Sequence, residues 1–94
     1  MSIHIYKNKS ATDLLFTITD ELYSSLAVPI EILKKKTGIF IDEYGNTRLT
    51  HQHALLLIQL IKNEITKPGK SVLDFIDFLE KTVNDKTDLQ LIGD

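Results

Sequence analysis

Gly38-Ile39-Phe40-Ile41-Asp42-Glu43-Tyr44-Gly45-Asn46-Thr47-Arg48-Leu49-Thr50 is the stretch on which the fold turns. Ile39–Ile41 is β-prone, Asp42–Asn46 gathers turn formers, and Thr47–Leu49 resumes an extended pattern. An Asp at the first turn position accepts backbone N–H groups, and Gly45 or Asn46 tolerates positive φ, so the stretch reads as a hairpin around 38–49. Thr50 is then placed to cap a following helix.

Reading outward toward the C-terminus, residues 51–66 are apolar almost all round, with Gln52, Gln59 and Asn63 as the one consistent polar stripe. Such a helix is expected to be central and packed on more than one side. Lys67-Pro68-Gly69-Lys70 breaks the pattern, and Ser71 is read as the cap of a last helix. That helix carries Val72, Phe75, Ile76, Leu79 and Val83 on one face. A turn at Asp85–Thr87 leads to Leu89-Gln90-Leu91-Ile92, a closing strand. Toward the N-terminus, the alternation of Ile3 and Ile5 makes residues 2–7 a short strand. Ser10 and Asp13 resemble a capping box for a helix over about residues 11–27, on which Leu15, Ile18, Leu22 and Leu26 recur at helical spacing. Pro29 is expected to push Val28 out of helical geometry and end that helix, then to open a short turn over Ile30–Lys36 closed by Gly38.

The predicted class is α+β: a small sheet of N- and C-terminal strands plus the hairpin, packed with three or four helices. An unpaired terminal strand would strand its backbone polar groups, so the first and last strands are expected to pair. The 94 residues, 43% hydrophobic and 26% charged, suit a single domain over 1–94. A chain this short buries roughly 60–65% of its unfolded surface, enough for one thin core.

No cysteine is present, which removes disulfides, thiolate metal sites and thiol nucleophiles. His51 and His53 sit two residues apart, about 200° around a helix, and do not converge on one ion, so no metal site is expected. The serines lie in no nucleophile-elbow setting, and the glycines at 38, 45, 69 and 93 form no phosphate-cradling loop. Adjacent acids such as Asp20-Glu21 and Asp42-Glu43 diverge. The expectation is a protein that is not an enzyme and uses no cofactor. The apolar run Ala54–Ile58 is far short of the ~20 residues needed to span a bilayer. With no secretory pattern at the N-terminus, a cytoplasmic protein without membrane contact is expected.

Charge points to a partner. Net charge is −2 overall, but residues 71–94 hold six acids against Lys81 and Lys86. That acidity favours a basic protein and disfavours nucleic acid. Lys34-Lys35-Lys36 is the one basic cluster; it suits the negative end of a helix and lacks the interleaved aromatics of a single-strand binder. On the last helix Phe78 falls on the polar flank, with Asp74 beside it and Asp77 on the opposite border, near Leu73 and Glu80. An aromatic anchor among steering charges is a common interface design. Asp74, Asp77 and Phe78 are therefore the first candidate partner-binding residues, and Asp42, Glu43 and Tyr44 at the turn tip the second. For Phe78 and Tyr44 the competing expectation is that the ring covers the core.

Asp42-Glu43-Tyr44-Gly45-Asn46-Thr47 and the ending Leu89-Gln90-Leu91-Ile92-Gly93-Asp94 resemble a group of small, roughly hundred-residue bacterial proteins. These carry an Asp-Pro-Tyr-Gly-Asp-Thr turn and close on an apolar strand ending in Gly-Asp. Glu43 stands here for the group's Pro and Asn46 for its Asp. The resemblance runs in order over about residues 28–94, on those two motifs. It implies an immunity-type protein, a non-enzymatic inhibitor of a cognate toxin or effector domain. A self-associating adaptor or regulatory domain is the alternative, because the apolar helix 54–65 exceeds what one thin core covers and would leave a strip for a homodimer.

Overall fold

The computed structural model describes residues 2–8 and 10–93, the side chains of residues 10–12 excepted. Asp94 of the closing motif thus lies outside the described residues, as does the side chain of Ser10 expected to cap a helix. The elements in chain order are β1 (Ile3–Lys7), β2 (Ser10–Ile18), α1 (Asp20–Ser25), α2 (Ala27–Thr37), β3 (Asn46–Leu49), α3 (His51–Glu64), α4 (Lys70–Asn84) and β4 (Leu89–Gly93). The four strands form one antiparallel sheet in the order β2-β1-β4-β3. The α+β class holds, and β1 and β4, the first and last strands, are adjacent, with Ile5 opposite Leu91.

One cluster of buried apolar side chains joins sheet and helices. Ile3, Ile5, Leu89 and Leu91 are buried, whereas His4, Tyr6, Gln90 and Ile92 between them are only partly covered. This alternation places the helices on one face of the sheet and leaves the other to solvent. α3 and α4 form an antiparallel helical hairpin that buries Ala54, Leu57, Ile58, Leu60 and Ile61 from one helix and Val72, Phe75, Ile76, Leu79 and Thr82 from the other. The Thr82 hydroxyl donates to the Leu79 carbonyl at 2.8 Å, which settles its one buried polar group.

Several local expectations are corrected. Residues 10–18 are a strand, and the expected helix 11–27 reduces to α1, six residues capped by Thr19. Ile18 and Leu22 do share the core, but from a strand and a helix in succession. Val28 lies within α2, because the chain breaks two residues earlier, at Leu26, and Pro29 falls in the first turn, where a missing N–H costs nothing. Gly38 closes α2 in the left-handed region at φ 80. Of the hairpin around 38–49, only the return arm is a strand, and it pairs with β4. Ile39–Ile41 lies outside the sheet, although Ile41 is buried. Neither Gly45 nor Asn46 takes positive φ; Gly38 and Lys86 do so among the described residues. Finally, Gly69 caps α4, and Ser71 lies inside it.

Candidate functional site

Asp42–Gly45 is a turn held from several directions. The Asp42 carboxylate accepts the Tyr44 N–H at 3.0 Å, a turn stabilised by its own first side chain. On one side the Tyr23 hydroxyl of α1 donates to the Ile41 carbonyl at 2.8 Å, and on the other Thr47 Oγ1 donates to the Phe40 carbonyl at 2.9 Å. From the sheet, the Gly93 N–H donates to the Gly45 carbonyl at 2.9 Å. A Cβ at Gly93 would fall onto the Glu43 carbonyl and stand 2.8 Å from the Tyr44 nitrogen. The two short sequence motifs are therefore one structural unit: the Gly of the closing strand is the floor on which the Asp-Glu-Tyr-Gly turn rests. Tyr44 projects from this unit with 66% of its surface exposed. Asp42 and Glu43 flank it, half-covered. Their charge reaches Tyr23, whose hydroxyl is held above the usual tyrosine range first by burial and then by Glu43 and Asp42.

On α4 the expected trio divides. Phe78 is half-buried and stacks on Phe16 of β2, ring centres 4.8 Å apart, and Phe16 in turn meets Phe75 at 5.5 Å. The Phe78 ring thus covers the β2 side of the core, the alternative to a free anchor. Asp74 pairs with Lys70 at 2.9 Å, one turn earlier on the exposed surface. Asp77 is exposed and has no ion-pair partner among the described residues. Beside it, Leu73 is 48% exposed and lines an open depression of about 370 Å³ with Ile61, Ile65 and Ile76. The apolar group that goes with the α4 acids is therefore Leu73, which its place on the Asp77–Glu80 border already signalled.

His51 and His53 serve the start of α3. The Thr50 hydroxyl accepts the His53 N–H at 3.3 Å and lies 2.8 Å from His53 Nδ1. Asp88, just before β4, accepts the His51 N–H at 3.0 Å, lies 3.2 Å from His51 Nδ1, and pairs with Arg48 at 3.2 Å. These contacts, led by the His51 backbone donor, hold the Asp88 carboxyl below its usual range. This cluster, invisible to local sequence patterns because its members are up to 40 residues apart, ties β3, α3 and β4 together. Among the described residues no group of three or more His, Cys, Asp or Glu side chains is placed to hold a metal ion, and no helix is long and apolar enough to cross a membrane. Lys34 lies 4.7 Å over the Phe40 ring, and Lys34–Lys36 are exposed at the end of α2, as a helix C-terminus favours. Comparison with protein-family models, with curated proteins and with solved structures finds no match to this chain.

Proposed function

We propose that this chain is a non-enzymatic, protein-binding inhibitor of the immunity type, which neutralises a cognate bacterial toxin or effector domain of basic character in the cytoplasm. The observation that carries this reading is Tyr44: a large aromatic side chain, two-thirds exposed, on a turn whose backbone is already immobilised by Asp42, Tyr23, Thr47 and Gly93. Pre-ordered aromatic residues make effective binding anchors because little conformational entropy is lost when they are covered. Asp42 and Glu43 beside the ring, and the acidic last quarter of the chain, supply the charge that speeds capture of a basic target. An interface burying roughly 1,200–2,000 Å² in total is sufficient for stable inhibition.

The test is co-expression with the product of the adjacent gene. Growth arrest by that product is expected to be relieved by this chain, and Tyr44→Ala is expected to weaken the complex by about 2 kcal/mol, roughly thirtyfold in Kd. The reading fails if the neighbouring gene specifies nothing harmful and no growth defect is rescued.

A second reading, a self-associating adaptor, is favoured by one feature. β2 is a nine-residue strand at the edge of the sheet, with Leu14 53% and Leu15 43% exposed. Its edge is open to pairing with a second copy.

A further inference from the structure

The outer surface of the α3–α4 hairpin is a groove. At its middle the Lys62 ammonium and the Glu80 carboxylate meet across the two helices at 3.6 Å. On either side of that bridge lies an open depression. One, about 370 Å³, runs toward the 65–69 connection with Leu73 and Ile65 on its walls. The other, about 320 Å³, runs toward the first turn of α3 with Leu55 and Val83 on its walls. Leu55, 45% exposed, and Leu73, 48% exposed, stand at diagonal corners. The groove exists because α3 carries apolar residues nearly all round while α2, α4 and the sheet cover only part of its circumference.

The geometry points to this groove as the seat of an amphipathic helical segment of a cationic protein partner; the inference rests on the reading of this chain as a protein-binding module and names a surface of it. Three observations select that occupant. The groove extends from Leu73 to Val83, ten residues of helix, or about 15 Å, the length of roughly three helical turns. Its two depressions lie on either side of the Lys62–Glu80 bridge within that length, an arrangement that large apolar side chains at i and i+4 or i+7 of a helix laid along them would fill. Its α4 wall carries Asp77 without an ion-pair partner among the described residues, while Lys62 on the α3 wall is already paired with Glu80. A lysine or arginine on the flank of the incoming helix answers Asp77. A second copy of this chain does not when it lays its α4 along this one, because Asp74 and Glu80 are already paired and Asp77 of one chain would face Asp77 of the other.

The experiment titrates the isotope-labelled full chain with a synthetic 14-residue amidated helix bearing leucines at i, i+4 and i+7 and lysines on both flanks. Two control peptides replace the lysines with glutamates and the leucines with alanines. Backbone amide shifts are expected around Leu55, Leu73 and Val83, with at least tenfold weaker binding for each control. Leu73→Ala and Asp77→Lys, both exposed positions that leave the buried core untouched, are each expected to weaken the lysine peptide at least fivefold. Shifts centred on Tyr44 or on the open face of the sheet overturn the inference, as does equal binding of the lysine and glutamate peptides. So does a dimer in light scattering that Leu73→Ala dissolves, which would make a second copy the occupant. The co-expression assay separates the two levels. If Leu73→Ala and Asp77→Lys rescue growth as well as the unchanged chain while Tyr44→Ala does not, the groove is dismissed and the inhibitor reading stands. If the unchanged chain rescues nothing, the inhibitor reading falls and the peptide titration still decides the groove.

Discussion

Gly93 has no room for even a methyl group, since the backbone of Glu43 and Tyr44 occupies the space where a Cβ would stand. Backbone atoms do not move aside as a flexible side-chain tip would, so Gly93→Ala must push the turn away from β4 and break the hydrogen bond to the Gly45 carbonyl. The expected cost is about 1–3 kcal/mol, the range of overpacking in a closed site. For a domain this size that lowers Tm by roughly 4–8 °C for each kcal/mol. Calorimetry checks the loss, and amide shifts spreading from Glu43 to Tyr44 check its cause. Asp88 yields a pH prediction. Its folded pKa is depressed, so its contribution is fully present above the ordinary carboxylate pKa and disappears as pH falls through the folded value. Asp88→Asn keeps an acceptor for the His51 N–H but removes the charge. The gap in Tm between the unchanged chain and Asp88→Asn is therefore expected to be widest near neutrality and to shrink below about pH 4. A gap that stays constant down to pH 2.5 would show that the carboxylate charge is not what the site uses.

At the level of elements, the terminal strands, the break before the last helix and the Thr50 cap were legible; the second strand and the caps at Thr19 and Gly69 were not. The alternation of Ile3 and Ile5, the run Leu89–Ile92, the Lys67–Lys70 break and the Thr50 cap each carry a local physical signature, and each is found in the structure. Thr50→Ala is accordingly expected to cost about 1 kcal/mol, as loss of an N-cap does, measured by denaturant unfolding. Residues 10–18 were misread because Leu15, Ile18, Leu22 and Leu26 happen to fall at helical spacing across a strand-to-helix junction. The contrary signals were β-branched Thr12, Thr17 and Ile18 around Phe16, and the start signature Thr19-Asp20-Glu21, a cap followed by acids in the first turn. For Phe78 the sequence left two readings open, an interface anchor or a ring covering the core; on β2, Phe16 stacks with it and both pack against the core cluster. Phe78→Ala is thus expected to destabilise the fold by about 2–3 kcal/mol, less than a fully buried aromatic loses. A variant with unchanged stability would return Phe78 to the list of free anchors. Tyr44 was legible as a turn-tip residue, but the support of its turn was not, because Tyr23, Thr47 and Gly93 reach the carbonyls of Ile41, Phe40 and Gly45 across the fold.

For the molecule as a whole, the two edges of the sheet are protected unequally. β3 is four residues long, polar apart from Leu49, and carries Arg48. It is the kind of short, charged edge that resists pairing. β2 is nine residues long with Asp13 as its one charge, and Leu14 and Leu15 leave apolar surface beside its open backbone groups. Antiparallel pairing of β2 with its copy about a two-fold axis would continue the sheet to eight strands and cover those leucines, using a surface distinct from both the Tyr44 turn and the α3–α4 groove. Concentration-dependent association is therefore expected. Sedimentation should show the weight-average mass rising above the 10.7 kDa of one chain as concentration increases. Leu14→Lys, which puts a charge on an already exposed position, should hold the protein at that mass with Tm changed by no more than a few degrees. Hydrogen exchange separates this from association elsewhere: the β2 amides that point away from β1 should exchange fast in dilute solution and slow as mass rises. If mass rises while those amides stay unprotected, the contact lies on another surface and the β2 edge stays unpaired.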